Sequence, residues 1–207
     1  MKTYLQTASI REIQEAASFG ILDGITTNAY LMSKETKSYS LYEGLQEICR
    51  FVDVPICVGG LSVEAEAMVK EGKELASVHQ NIVVKCPLTS DGLKASQRLA
   101  AEGIRVNVTL CCSVNHALLA AHAGAWYVSS FMGCLGDNSV CEIDVIGQMA
   151  TLFRHYGITS RVFLASVQDP QHVIKAASVG VHICGVPFSV MKSLMTSRYM
   201  GVIENSL

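Results

Sequence analysis

The sequence predicts an α/β protein, a single-domain (β/α)8 TIM barrel spanning residues 1–207, on three observations. Short apolar, β-branched runs recur along the whole chain, and each is followed by a stretch whose apolar residues have helical spacing. Such alternation implies a parallel sheet joined by right-handed crossovers. Eight strand–helix units suit a closed barrel, and the first strand lacks the Gly-rich phosphate loop expected of an open doubly wound sheet. At 207 residues the chain is shorter than the roughly 250 typical of that barrel, so its connections must be tight.

Taken in order, Lys2–Gln6 reads as the first strand. Ser9-Ile10-Arg11-Glu12 reads as a cap and first turn, opening a helix through Ser18. Gly20–Thr26 is the second strand, and Leu41–Phe51 has Leu45, Ile48 and Cys49 on one helical face. Val54–Val58 follows as a strand broken by Gly59-Gly60. Ser62–Ser77 is a helix capped by Ser62, with Glu64 and Glu66 near its positive end. Asn81–Cys86 is the fourth strand, and Thr89–Ala101 a helix ended by Gly103. Ile104–Leu110, Ala125–Ser129, Arg161–Ala165 and Val181–Val186 complete the strands. The helices beside them are Ser113–Ala123, Glu142–Tyr156, Asp169-Pro170 through Val179 with proline at the first position, and Phe188–Met195. A loop from Ser130 to Val140 carries glycine and asparagine and reads as functional.

Composition narrows the chemistry. Half the residues are apolar and the net charge is −2, so the chain is globular and shows no basic run or Arg–aromatic interleaving for nucleic acid. No apolar stretch is long enough to span a membrane, and Met1-Lys2-Thr3-Tyr4 does not read as a secretion signal. The eight cysteines form no C-x-x-C pair and sit mostly in apolar runs, which suggests free thiols in a reducing cytoplasm. No Cys or His pair has the spacing of metal ligands, and neither metal nor cofactor is expected.

The residue that stands out is Lys85, in Asn81-Ile82-Val83-Val84-Lys85-Cys86-Pro87. A lysine closing a buried strand is unusual. Turned into an apolar cavity, it would lose its proton readily and attack carbonyl carbon to form a Schiff base. Snorkelling to water is the alternative. Chemistry in such a barrel gathers at the C-terminal ends of the strands. Those ends read Gln6-Thr7, Thr26-Thr27-Asn28, Cys57 to Gly60, Lys85, Asn107 to Thr109, Phe131, Ser166 and Pro187. Polar groups cluster there while the strand bodies are apolar.

Four segments carry a resemblance: Leu22-Asp23-Gly24-Ile25-Thr26-Thr27-Asn28, Ile82 to Pro87, Asn107-Val108-Thr109-Leu110, and Ala123-Gly124-Ala125-Trp126-Tyr127-Val128-Ser129. Occurring together and in order, they resemble the small transaldolases and fructose-6-phosphate aldolases, over most of the chain through about Met195. The resemblance implies that Lys85 forms a Schiff base with a ketose donor, that Thr26, Asn28 and Asn107 line the donor pocket, and that Thr109 holds the catalytic water. It also implies a homo-oligomer, a pentamer or decamer.

The departures are equally specific. Gln6 stands where the family has an aspartate, and Ala29-Tyr30 where proline follows the asparagine. Gly59 replaces a water-positioning Glu or Gln, while Cys134 and Gln168 replace two phosphate-binding cations. The chain ends at Leu207, short of the family's closing helix. With those carboxylates gone, water on Thr109 or the Tyr30 phenol is the candidate acid–base group. The expected site is therefore Lys85, Thr109 and Tyr30 for catalysis, with Gln6, Thr26, Asn28, Cys57, Gly59, Asn107, Phe131, Cys134 and Ser166 holding a small ketone or aldehyde. Two functional readings follow: a class I aldolase or transaldolase retuned toward non-phosphorylated or bulkier carbonyl substrates, by engineering or otherwise, or an inactive paralogue that serves as a binding or assembly protein.

Overall fold

In a computed structural model, the structure describes residues 1–35, 40–133 and 139–196, and for 139–142 the backbone alone. Eight parallel strands close into one barrel in chain order: β1 (Lys2–Gln6), β2 (Gly24–Thr26), β3 (Ile56–Gly59), β4 (Ile82–Pro87), β5 (Val106–Thr109), β6 (Tyr127–Phe131), β7 (Arg161–Ala165) and β8 (Ile183–Val186). Among the described residues the helices are α1 (Ile10–Ser18), α2 (Ala29–Glu35), α3 (Leu41–Phe51), α4 (Ala65–Val78), α5 (Ser90–Ala101), α6 (Val114–His122), α7 (Ser139–His155), α8 (Pro170–Ser178) and α9 (Phe188–Met195). This is the (β/α)8 barrel that the alternation predicts. No helix among the described residues is long and apolar enough to cross a membrane.

Period-two alternation gives each strand two apolar faces. On β4, Val84 and Cys86 face the helix layer and belong to the main core, whereas Val83 belongs to a second cluster inside the barrel. That inner cluster joins Tyr4, Cys57, Val83, Tyr127, Phe163 and Ile183. Its polar tips are satisfied internally, since the Tyr4 and Tyr127 hydroxyls lie 2.6 Å apart. Gly24 makes this packing possible: a Cβ there would sit 2.3–2.5 Å from the Tyr4 ring carbons. The barrel floor is thus closed by aromatics, and only its upper end is open to chemistry.

Several boundaries differ from expectation, for identifiable reasons. The second strand starts at Gly24, because Gly20 adopts φ +70° to leave α1 and Asp23 turns its carboxylate to the Thr3 amide. Ser9 precedes α1 without a side-chain capping bond, and Glu12 instead accepts from the Thr7 hydroxyl. Helix α2 was not anticipated; it begins after Asn28, whose Oδ1 accepts from Leu31 N at 2.8 Å. Helix α4 begins at Ala65, three residues after the expected cap. The amides of Leu61 and Ser62 are bound instead by the Glu71 carboxylate, both at 2.9 Å. The expected loop from Ser130 to Val140 is shorter at both ends, since Ser130 and Phe131 belong to β6 and 139–140 to α7, while Cys134 lies in 134–138, outside the described residues.

Candidate active site

Lys85 enters the barrel because it lies two residues after Val83 on the inward face of β4. Its register partners are Gly59 on β3 and Asn107 on β5. Nζ donates to the Thr27 carbonyl oxygen at 2.8 Å. Burial pushes the Lys85 pKa down to about 8. Cys57, fully buried inside the barrel, is itself pushed up to about 11 by burial, and Lys85, Asn107 and Arg105 only partly offset this. It is a neutral thiol near pH 7 and supplies no counter-charge to the lysine.

The neighbouring strands bring most of the expected residues around this amine. Asn107 is fully buried, and its Oδ1 accepts from the Ser129 hydroxyl at 2.6 Å. Asn107 Nδ2, at the other side of the same amide, is a buried donor that meets no hydrogen-bond acceptor of good geometry among the described residues. Thr26 is buried between Gln6 and Cys57 in the register. Gln6 reaches across the top of β1 to Ser166, accepting from its amide at 3.0 Å. Ser166 sits at φ +58°, a left-handed backbone that turns the chain sharply after β7. Thr109 is part-buried, with its hydroxyl 3.4 Å from the Cys86 carbonyl. Phe131 closes β6 and is part-buried.

A cavity of about 460 Å³ opens beside Lys85 and runs from Asn28 and Thr109 past Gly59 toward α4. Asn28 lines it, with Oδ1 committed to the cap of α2. Tyr30 does not face it. The phenol is 64% exposed on α2, with the Lys34 ammonium 4.3 Å over its ring. The second substituted cation position, Gln168, lies in the exposed loop after β7 and gives its amide to His172 Nδ1.

Two residues were missed from sequence. Glu71 lines the cavity from α4; burial alone would raise its carboxyl, but the Leu61 and Ser62 amides hold it below the usual carboxylate value. The signal was there, an acid between Met68 and Leu75 on the apolar stripe of α4. Ser129 was the other. It occupies the inward position between Tyr127 and Phe131 on β6, where it fixes Asn107.

Fold and strand-end polarity together define a barrel enzyme whose chemistry sits at the C-terminal ends of its strands. The family described as Transaldolase/Fructose-6-phosphate aldolase matches residues 3–204. The chain is 45% identical over 200 residues to a probable transaldolase of Chlorobium limicola, covering 94% of this chain and 90% of that one. It is 44% identical over 194 residues to one of Sorangium cellulosum (94% and 89%) and 46% identical over 195 to one of Roseiflexus (94% and 89%). The chain belongs to the transaldolase/fructose-6-phosphate aldolase family and is an aldolase/transaldolase-like enzyme.

Proposed function

We propose that the protein makes or breaks carbon–carbon bonds through a Schiff base on Lys85, with uncharged or bulkier carbonyl compounds as substrates. The observation that carries this reading is the part-buried amine at the end of β4, its pKa lowered to about 8 beside a cavity. The free amine attacks a ketone or aldehyde carbon, and the carbinolamine loses water to give an iminium. The iminium withdraws electrons from the adjacent bond, so a proton or an aldehyde fragment leaves and an enamine remains. The enamine carbon then adds to an acceptor aldehyde, and water releases the product.

The remaining roles follow from position. Asn107 Nδ2 donates to a substrate hydroxyl, with Ser129 setting its orientation. Thr26, Asn28, Gln6 and Ser166 complete the polar rim. Water held by Thr109 carries protons, since Gln6 cannot exchange one at neutral pH. Cys57 packs beneath the amine as a thiol. Assembly into a homo-oligomer and a cytoplasmic location belong to the same proposal, as does one domain over residues 1–207. The alternative of an inactive binding or assembly protein finds no support in the comparisons.

Borohydride trapping with small ketones, followed by peptide mass mapping, tests the reading. The expected result is a stable adduct on Lys85 that disappears in Lys85→Met with the circular dichroism unchanged. An adduct on another lysine, or none with any ketone, would reject it.

A further inference from the structure

We propose a second ligand site on the opposite face of the barrel, beneath the N-terminal ends of β1, β7 and β8, where Lys2, Arg154, Arg161 and His182 bind a phosphate dianion. It is independent of the reading of Lys85, which lies at the other end of the strands.

The period of two that sends Lys85 to the upper mouth sends other residues to the lower one. Lys2 lies two residues before Tyr4 on β1, and Arg161 two residues before Phe163 on β7. Both aromatics belong to the inner cluster that closes the floor, so the two cations stand on the same inward rows below it. His182 immediately precedes β8. A cavity of about 430 Å³ opens between Lys2, Arg161 and His182, walled by Gly180 and Val181. Arg154 reaches it from the end of α7, since a Cβ on Gly180 would fall 2.8 Å from its Nη2.

Charge is the unusual feature. Among the described residues no carboxylate lines this cavity, and none of Lys2, Arg154 and Arg161 forms an ion pair. Asp23 and Asp53, in loops on the same face, are committed elsewhere. Asp23 accepts from the Thr3 amide at 2.8 Å and Asp53 from Asn81 Nδ2 at 2.6 Å. Asp144 shares the adjoining cavity with Arg154 without pairing with it. A cleft lined by charges of one sign concentrates the opposite ion. The pKa of His182 is held below the usual histidine value by burial and then by the Arg161 and Arg154 charges, so its ring is neutral near pH 7. Its Nδ1 accepts from Val162 N at 3.1 Å, which leaves the hydrogen on Nε2 as a donor. Two guanidinium forks, an ammonium and an imidazole N–H suit the oxygens of a phosphate. The volume falls within the ~300–1,000 Å³ of small-molecule sites, so a phosphomonoester fits as well as the free ion.

Trp126, the one tryptophan of the chain, reports on the site. Arg105 lies over its ring at 4.7 Å and is anchored by the Gln80 carbonyl; Arg161 lies at 5.8 Å. An anion that draws Arg161 away therefore changes the indole fluorescence. The intact protein is titrated at constant ionic strength with orthophosphate and with glycerol 2-phosphate, against potassium chloride. The expected result is a saturable change with phosphate and none with chloride. Arg161→Gln should raise the half-saturating concentration about tenfold or more, the loss of one charge-assisted bond, and Arg161→Lys less. Lys2→Gln, at an exposed position, should raise it about threefold and keeps the test decisive if the arginine variants fold poorly. Tighter binding of the ester assigns the site to organic phosphates and equal binding to the free ion, and either upholds it. A change that does not saturate, that chloride reproduces, or whose half-saturation is the same in every variant would overturn it.

Discussion

Lys85 Nζ and the carbonyl oxygen of Thr27 are joined by a 2.8 Å hydrogen bond that spans from β4 to the end of β2. The strand between them is β3, and at that level it carries Gly59, the register partner of Lys85. With no side chain at 59, the lysine stem crosses freely and its amine comes to rest in a low-dielectric mouth. Among the described residues one carbonyl and no carboxylate hold it there, so burial decides its protonation.

The pH dependence follows with a definite sign. Lysine ordinarily titrates near 10.4, and Lys85 at about 8. Between those values the unfolded chain holds a proton that the folded one has released, so stability rises with pH. Below about 8 the folded protein carries a part-buried ammonium, and the loss of stability is complete. Lys85→Met is therefore expected to stabilise the fold by about 1–3 kcal/mol near pH 7, with the gain fading as pH rises through ~10.4. Urea unfolding at the two pH values measures it; a destabilised variant near neutrality would contradict the part-buried amine. The rate of imine formation should share the same midpoint near 8.

A second prediction separates Thr109 from Tyr30. Tyr30 is 64% exposed and engaged by Lys34, so Tyr30→Phe should leave kcat within about twofold. Thr109 lines the cavity. Thr109→Ala should lower kcat by about 10²-fold if its hydroxyl holds the proton-carrying water. Steady-state kinetics on both variants decides, and a large loss in the Tyr30 variant with none in the Thr109 variant would reverse the assignment.

The barrel and its lysine were legible in the sequence because both depend on strict rules. Alternating buried runs declare the parallel sheet, and Val83 to Lys85 keeps the period of two that places the amine inside. What escaped depended on competition among polar groups. Asn28 resembles a substrate ligand, but it also stands where a helix can start, and its side chain caps α2. Ser62 has the right identity for a cap, yet its amide is claimed from a distance by Glu71. Tyr30 follows Asn28 closely in sequence, and the helical turn that Asn28 starts carries its phenol out to solvent. Such contests are decided by tertiary contacts that no local pattern reveals.

Gly60 and Glu71 provide a third prediction. The carboxylate of Glu71 occupies the space a Cβ on residue 60 would need and also binds the next two amides. Gly60→Ala should destabilise the protein by about 1–3 kcal/mol through overpacking. In a Glu71→Ala background the same change should cost little further, which a double-mutant cycle reads directly. Additive effects would show that the glycine is required for some other reason.

The last prediction concerns phosphate. The loop after β7 is where an anion would meet backbone amides at the start of α8, and here those amides are already engaged. Ser166 N is bound to Gln6 Oε1 at 3.0 Å, and Gln168 N to His172 Nδ1 at 3.3 Å. The first turn of α8 is closed by Asp169, which accepts from Gln171 N at 2.7 Å and His172 N at 3.0 Å. A helix N-terminus favours one anion, and the Asp169 carboxylate is that anion. Its pKa lies below the usual value, chiefly through the His172 amide, so it is ionised at neutral pH and repels a second negative group. Gln168 brings no charge to offset it. Charge-assisted bonds to a phosphate contribute roughly 1.5–3 kcal/mol each, and the described loop supplies none. The expected outcome is a kcat/KM for glyceraldehyde 3-phosphate no more than about tenfold above that for glyceraldehyde, a difference under ~1.4 kcal/mol. Gln168→Arg should raise the phosphate's relative rate by at least several-fold, and more so together with Asp169→Asn, which removes the competing charge. A hundredfold preference for the phosphate in the unmodified enzyme, about 2.7 kcal/mol, would mean that cations outside the described residues reach this site and would reject the uncharged-substrate reading.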